Sequence, residues 1–217
     1  MNKLENWFCA TSFWRKMTQR HLLPSLLSGS DLGANVLELG PGPGAATAAL
    51  QQTFSSVTSL EFSAAFAAKI ARETQRKNLP TQAATEGAKQ REVPRSEQVG
   101  ARRRGTAWVV RGDAAQLPFA DGSFSCAIAM LMLHHLRSPE LQDHALAEIH
   151  RVLQPGGVFL AMEIHDGWLQ RLIHIRSTFV PVSASGANAR LNAAGFARAS
   201  VDFQRGSFVL RARRAVA

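Results

Sequence analysis

The residues best suited to chemistry include a short glycine-rich turn, GPGPG at residues 40–44, between an apolar run and a helix-forming run. Glycine lets a ligand approach bare backbone, and a strand-to-helix turn presents free N–H groups at a helix N-terminus. A tight connection without a ligand would not need five such residues. The spacing therefore predicts that Gly40, Pro41, Gly42 and Gly44 form a ligand-binding loop.

Acidic side chains stand at or near the ends of three strand-like runs. Glu38 lies in the first run, Glu61 closes the second, and Asp113 follows the third. Glu61 comes 21 positions after Gly40, where an acid can accept hydrogen bonds from both hydroxyls of a ribose. Gly40, Gly42 and Ala45 also fit the GxGxxA pattern of dinucleotide enzymes, which alone is a weak signal.

Histidines follow two further strand-like runs. His134 and His135 come after the fourth run, and His165 with Asp166 comes after the fifth. A histidine with a pKa near neutral could take a proton from a hydroxyl or an acidic carbon, so His135 and His165 are the catalytic candidates. Alternatively, LHHL begins a helix in which its histidines pack or cap. The remaining candidates fall in helical stretches and are expected at the surface: His144, His150 and His174.

Five apolar, strand-like runs alternate with helix-forming runs and must position these residues. This βαβα order is typical of a parallel sheet with helices on both faces. The strand candidates are 34–39, 57–62, 107–111, 125–130 and 158–164, and the helix candidates are 45–53, 64–77 and 139–153. In such a sheet, ligands bind beyond the carboxyl ends of the strands, where the glycine loop, the acids and the histidines lie.

The two ends of the chain complete the expected fold. Near the C-terminus, two strand-like runs in RASVDFQRGSFVLRARR are separated only by Arg205 and Gly206, which demands an antiparallel hairpin. Residues 1–30 are helix-like with grouped aromatics and predict a helical cap. The sequence therefore predicts a doubly wound, Rossmann-like α/β sheet of seven strands whose last strand is antiparallel.

The net charge of +9 belongs mostly to one segment. Between Lys69 and Arg111 there are 11 Lys or Arg and 4 Glu, an excess of +7. Residues 78–105 contain few large apolar side chains, so we expect a disordered basic insertion within a single domain spanning residues 1–217. It is either a solvated insertion or a basic arm that touches RNA or acidic partners.

Composition excludes several classes of protein. No apolar run approaches the roughly 18 residues of a membrane span, and Lys3 and Glu5 interrupt the place of a signal peptide, so we expect a cytoplasmic protein. Cys9 and Cys126 lie far apart without a CxxC partner, so no disulfide framework or metal site is expected. Cys126 lies in an apolar run and should pack as a small hydrophobe.

Four blocks in order resemble the class I S-adenosylmethionine-dependent methyltransferases, and among them the methyltransferase type 11 group of ubiquinone-biosynthesis-like enzymes. The blocks are VLELGPGPG, SLEFS, RGDAAQLPFADGSFSCAIAMLMLHHL and EIHRVLQPGGVFLAMEI, within residues 36–164. The resemblance implies S-adenosylmethionine as the cofactor. This sulfonium cation has no phosphate, which agrees with an acidic rather than a basic binding rim.

The resemblance also implies contacts for each part of the cofactor. The glycine loop would hold its methionine part, Glu61 its ribose, and Phe62 would lie beside the adenine. Asp113 and Ala114 match the position for the adenine amino group and ring edge. Ala129 and Met130 match the family's strand end that faces the amino-acid moiety of the cofactor. Glu38 matches the family's acid that acts through the loop and ordered water.

Some parts of the chain depart from the family pattern. Ser125 stands where many relatives carry Asp, and the basic insertion is unusual. The cap and the segment at 167–186 match no known substrate-binding pattern. Their aromatic residues either line a pocket for a small hydrophobic or ring-bearing acceptor or belong to the core: Trp7, Trp14, Trp168 and Phe179.

The expected function is methyl transfer to a small-molecule acceptor by in-line displacement, in which the protein mainly aligns the nucleophile and excludes water. Two alternatives remain. One is an RNA methyltransferase that uses Arg102, Arg103 and Arg104 as a phosphate clamp. The other is a non-catalytic module that binds the cofactor. The oligomeric state and the acceptor atom are not indicated by the sequence.

Overall fold

A computed structural model describes residues 2–29, 31–78, 106–204 and 206–216. Within these ranges, seven strands form one sheet in the order β3-β2-β1-β4-β5-β7-β6. The strands are β1 (Asn35–Leu39), β2 (Ser56–Glu61), β3 (Thr106–Arg111), β4 (Phe124–Met130), β5 (Leu153–Ile164), β6 (Phe196–Gln204) and β7 (Ser207–Arg214). The first five strands are parallel to one another, and β7 runs antiparallel to both β5 and β6, as the sequence predicts.

Helices precede and connect the strands. They are α1 (Lys3–Ala10), α2 (Ser12–Met17), α3 (Leu23–Leu27), α4 (Thr47–Thr53), α5 (Ala64–Asn78), α6 (Pro139–Val152), α7 (Trp168–Ile173) and α8 (Ala187–Ala193). A π-helical turn, Thr18–Leu22, joins α2 to α3. The predicted helical cap is therefore confirmed as α1 to α3. Apart from Asn78, the predicted basic insertion lies outside the described residues, and so do the three arginines of the proposed clamp.

The alternation of side chains along β1 divides the core between the two faces of the sheet. Leu37 and Leu39 pack in one buried cluster with residues of α6, such as Ile149. Val36 packs in the other cluster, with Leu26 of the cap. Because side chains two apart in a strand share a face, Glu38 points to the side that the cap covers.

The cap is fixed to the domain through hydrogen bonds of its first residues. The side chain of Asn2 accepts a hydrogen bond from the Glu5 N–H, and the Asn2 N–H donates to the Glu5 carboxylate, which forms a capping box. The Asn2 amide also donates to the carbonyls of Ile173 and Ile175, at 2.8 and 2.9 Å. The beginning of α1 is thereby joined to the end of α7.

Two details differ from the pattern in the sequence. β5 begins at Leu153 rather than near Val158, because Leu153 pairs with Phe124 before a register shift in β4. The LHHL motif forms a single 3-10 turn, Leu133–His135, and does not begin a longer helix. Cys126 is fully buried, as expected, and burial raises its pKa to about 12.

Candidate functional site

The glycine loop leaves β1 in a conformation that favours glycine. Gly40, Gly42 and Gly44 all have positive φ, at 59°, 54° and 87°. A Cβ on Gly40 would lie 2.2 Å from Cγ of Met132, so this glycine permits close packing of the loop against the residues after β4. A Cβ on Gly42 would meet no described atom within 4 Å. The chain thus leaves open space at Gly42, where a ligand can reach the backbone.

Glu61 connects the end of β2 to the glycine loop. Its Oε2 accepts a hydrogen bond from the Gly42 N–H at 2.9 Å, and its Oε1 accepts one from the Ser63 N–H at 2.8 Å. The side chain is buried, and burial raises its pKa, although these backbone donors oppose the increase. Each carboxylate oxygen keeps a second lone pair, so Glu61 can still accept hydrogen bonds from a ligand.

Glu38 lines a cavity between the sheet and the cap. The cavity has a volume of about 50 Å³, and Gly40, Pro41 and Met130 contribute to its wall, with Trp14 and Thr18 on the cap side. Oε2 of Glu38 accepts hydrogen bonds from Thr47 at 2.8 Å and from Ser59 at 2.7 Å.

The buried position of Glu38 changes its titration. Burial raises the pKa of Glu38 to about 7, against the opposing effect of the hydrogen bonds from Ser59 and Thr47, while the nearby Glu61 charge raises it further. An acid in this state becomes charged more readily when a cation binds beside it. The cavity is therefore suited to a positively charged ligand.

We expect Glu38→Gln to stabilise the protein at alkaline pH. The unfolded chain ionises Glu38 near its ordinary pKa of 4.5, whereas the folded chain holds the proton up to about 7. The stability that this protonation gives is complete below 4.5, declines from 4.5 to 7, and is lost above 7. Relative to wild type, the variant should gain about 2 to 3 kcal/mol in free energy of unfolding between about pH 5 and about pH 8.

Urea unfolding at the two pH values measures this gain. Asp31→Asn, a matched carboxylate-to-amide change at an exposed position, is the control. A difference between Glu38→Gln and wild type that is the same at both pH values would contradict the raised pKa.

The other predicted cofactor residues lie along the same edge of the sheet. The Gly112 N–H donates to the Glu61 carbonyl at 3.2 Å, which places the turn containing Asp113 and Ala114 directly beside the end of β2. Phe62 is 66% exposed and free to contact a ligand, while Ala114 is buried. On the opposite side, Ala129 pairs with Leu39 in register, so β4 ends beside the glycine loop.

The histidines after β4 occupy a buried network. His134 Nδ1 lies 2.5 Å from Oε2 of Glu163, a fully buried acid whose Oε1 accepts hydrogen bonds from the N–H groups of Met132 and Leu133. Nδ1 of His135 lies 3.2 Å from the Thr178 carbonyl. Burial, together with the neighbouring His134, lowers the pKa of His135 to about 3. At neutral pH this imidazole is therefore uncharged.

His165, the second catalytic candidate, has different surroundings. Its ring packs against Phe203 and Phe208 of the terminal hairpin, with centroid distances of 5.9 and 5.3 Å. The neighbouring Asp166 is paired with Arg171 at 2.6 Å. Asp166 therefore forms its ion pair with Arg171, and among the described residues the structure shows no hydrogen bond between Asp166 and His165.

One histidine was misjudged from the sequence. His174 was expected at the surface, but it is buried at the end of α7, where it lies beside the rings of His134 and His135 and stacks on Phe179. A helical pattern alone does not show that another element covers a helix end. His144 is exposed, as expected. His150 is half-buried and contacts Phe196.

The aromatic residues of the cap and of the segment at 167–186 do not form one pocket. Trp14 lines the cavity above Glu38. Trp7 and Trp168 are 66% and 78% exposed, so they belong neither to the core nor to a closed pocket. Phe179 packs on His174 and His134. The expectation of a shared aromatic wall is therefore supported only at Trp14.

The strand order, the antiparallel β7 and the glycine loop facing an acid at the end of β2 define the class I methyltransferase fold. The chain belongs to the methyltransferase domain family, whose model matches residues 37–161. This match confirms the family expected from the four sequence blocks. The cofactor of this family is S-adenosylmethionine.

Individual relatives agree with this assignment. The chain is 42% identical over 76 residues to the mitochondrial 2-methoxy-6-polyprenyl-1,4-benzoquinol methylase of Mus musculus, in a match that covers 34% of this chain and 22% of the mouse protein. The match spans only 22% of the length of the mouse protein and 29% of the length of two other curated relatives.

Solved structures show the same fold at low sequence identity. The N-methyltransferase NodS from Bradyrhizobium japonicum WM9, solved with S-adenosylhomocysteine, superposes with a TM-score of 0.65 at 16% identity, covering 96% of this chain and 91% of NodS. The [4+2]-cyclase SpnF has a TM-score of 0.65 at 19% identity, covering 94% of this chain and 81% of SpnF. Among the described residues, no helix is both long and apolar enough to cross a membrane.

The described residues fit the family's cofactor. Open space at Gly42, the Glu61 carboxylate hydrogen-bonded to its N–H and a cavity lined by Glu38 match a nucleoside that carries a positive charge. In this assignment Glu61 holds the ribose, Phe62 and Asp113 lie at the adenine, and the glycine loop with Glu38 faces the amino-acid part. These individual contacts are proposals.

Proposed function

We propose that the protein transfers a methyl group from S-adenosylmethionine to a small-molecule acceptor. The observation that carries this proposal is the pair of acids at the glycine loop: Glu38 lines the cavity beside the loop, and Glu61 accepts a hydrogen bond from the loop at Gly42. Acids in these positions favour a cationic nucleoside over a phosphorylated one. The bound cofactor supplies a carbon that its sulfonium already activates. The protein then has to align the acceptor and keep water out.

The cap supports a small acceptor. Trp14 and Thr18 close the side of the cavity that faces away from the sheet, and Asn2 holds α1 against the end of α7. A covered site of this kind suits a small molecule better than a folded nucleic acid. Most of the positive charge, +7 of +9, belongs to residues 69–111 rather than to the residues around the cavity.

A general base is optional in this reaction. His135 is neutral at physiological pH, but its pKa of about 3 makes it a weak proton acceptor. His165 is half-buried against the terminal hairpin and remains the better candidate for a base. Methyl transfer to an acceptor that is already nucleophilic needs neither residue.

Two other functions remain as alternatives. An RNA methyltransferase would use the basic residues at 102–104, which lie outside the described residues. The second alternative is a non-catalytic module that binds the cofactor without turnover. The cytoplasmic location stays a prediction, since the mouse relative is named as mitochondrial.

We expect methyl label to enter a small-metabolite extract and not total cellular RNA. The assay uses labelled S-adenosylmethionine with the full-length protein and with a variant lacking residues 79–105, each at low and high salt. Transfer to a small molecule should be nearly independent of salt and of the deletion, because apolar contacts are weakly screened. Gly42→Leu serves as the inactive control.

Other results would favour the alternatives. RNA labelling that is strong at low salt and lost on deletion would overturn the acceptor class, since each phosphate contact changes the affinity by about one log unit per log unit of salt. Cofactor binding without S-adenosylhomocysteine formation in either extract would favour the non-catalytic module.

A further inference from the structure

Three histidines from distant parts of the chain meet beyond the end of β4. One ring nitrogen from each of His134, His135 and His174 lies within 4.8 Å of one ring nitrogen of the other two. His134 is buried, and the other two lie at its side, with ring centroids 4.3 and 5.2 Å from that of His134. Imidazole is the commonest protein ligand for zinc and related transition metals.

The hydrogen bonds of the three rings leave the same nitrogen free in each. Nδ1 of His135 faces the Thr178 carbonyl at 3.2 Å, and Nδ1 of His174 faces the Gln170 carbonyl at 2.7 Å. A carbonyl oxygen only accepts, so Nδ1 of both rings must donate. His134 Nδ1 donates in the same way to the Glu163 carboxylate. A ring that is neutral and donates through Nδ1 carries its lone pair on Nε2, in the arrangement that orients metal-binding histidines.

A carboxylate lies beside the cluster, next to His174. Glu5 of α1 is 4% exposed, and its Oε1 lies 3.3 Å from Nε2 of His174. This oxygen accepts no well-aligned hydrogen bond from any described residue, whereas Oε2 accepts from Asn2 and Ser177. Glu5 therefore borders the cluster from the side of the cap.

We propose that His134, His135 and His174 form a binding site for Zn²⁺ or a chemically similar divalent transition-metal ion, with Glu5 beside it. Three imidazoles are a ligand set that zinc takes, and its fourth position is then filled by water or another ligand. A bound ion joins the end of α7 to the residues after β4.

The metal site and a catalytic base use the same lone pair of His135. A bound ion occupies Nε2, so the proposal assigns His135 to binding rather than to proton transfer. The expectation of no metal site rested on the two cysteines. The spacing of these ligands gave no motif, because His174 lies far from the His-His pair along the chain.

Zinc binding by the untagged protein tests the proposal. After dialysis against Zn²⁺ and removal of free metal, elemental analysis should find one zinc per chain. Co²⁺ bound in its place should show the intense visible absorption of a four-coordinate ion. A zinc concentration of about 100 times the dissociation constant should raise the melting temperature by about 5 to 10 °C. These readouts do not depend on methyl transfer.

Matched variants identify the ligands. His174→Gln and His135→Gln should each weaken zinc binding more than about tenfold. His144→Gln should bind zinc as wild type does, because His144 is exposed on α6. Wild-type protein that retains no stoichiometric zinc and shows no thermal shift would overturn the proposal, whether or not the variants fold. Equal zinc affinity in wild type and both ligand variants would also overturn it.

Discussion

Gly42→Leu is expected to abolish cofactor binding while the protein stays folded. Gly42 has a φ of 54°, and a Cβ built there meets no described atom within 4 Å, so a leucine side chain would extend into the space left for the ligand. The same φ strains any residue other than glycine by roughly 1 kcal/mol. We therefore expect a small loss of stability and a loss of S-adenosylmethionine affinity of more than about 100-fold, measured by calorimetry.

Gly29→Leu is the matched control for this variant. Gly29 also has positive φ, at 75°, and open space around a Cβ, but it lies at the end of the cap away from the glycine loop. Both variants should lose similar stability in urea unfolding, and only Gly42→Leu should lose binding. Equal cofactor affinity in the two variants would refute the placement of the ligand.

Glu61→Ala is expected to weaken the binding of both the cofactor and its product by about 1.5 to 3 kcal/mol, or roughly 10- to 150-fold in affinity. The ribose would lose the carboxylate that accepts its hydrogen bonds, and the Gly42 N–H would lose its acceptor. S-adenosylmethionine and S-adenosylhomocysteine share the ribose, so their affinities should fall by similar factors. NAD should not bind to wild type or variant.

Glu61→Gln separates hydrogen bonding from charge. Glutamine keeps one acceptor oxygen and nearly the same shape, so its binding should lie between those of wild type and Glu61→Ala. Calorimetry with both ligands on all three proteins gives the comparison. Unchanged affinity in the alanine variant, a loss confined to S-adenosylmethionine, or binding of NAD would count against the assigned contact.

The strands and the glycine loop were predictable from local patterns. Apolar runs of strand length gave β1 to β4 within one residue. For β1, β2 and β4 the reason is burial on both faces of the parallel sheet, which leaves a continuous apolar run, whereas β3 is a partly exposed edge strand. The glycines at 40, 42 and 44 identified the turn because their positive φ is hard for other residues. The acid at Glu61 followed from its distance to this turn.

The neighbours of the site could not be predicted in the same way. The contact of Glu5 with His174 joins residues 169 positions apart, and no local pattern carries such a pairing. The raised pKa of Glu38 depends on the cap that covers it, which is likewise a tertiary property. Sequence patterns thus indicated which strand ends hold the site, while its burial and charge state required the folded chain.

The pKa of Glu38 near 7 has a further thermodynamic consequence for a cofactor that loses its charge. Binding a sulfonium favours the ionised acid, whereas binding a neutral thioether does not. By reciprocity, the extra affinity that ionised Glu38 gives to the charged form equals the free energy of the corresponding shift in its own pKa. Preference for the loaded cofactor over the spent one is therefore linked to proton release, and it is greatest at alkaline pH, where ionisation of the acid costs no work.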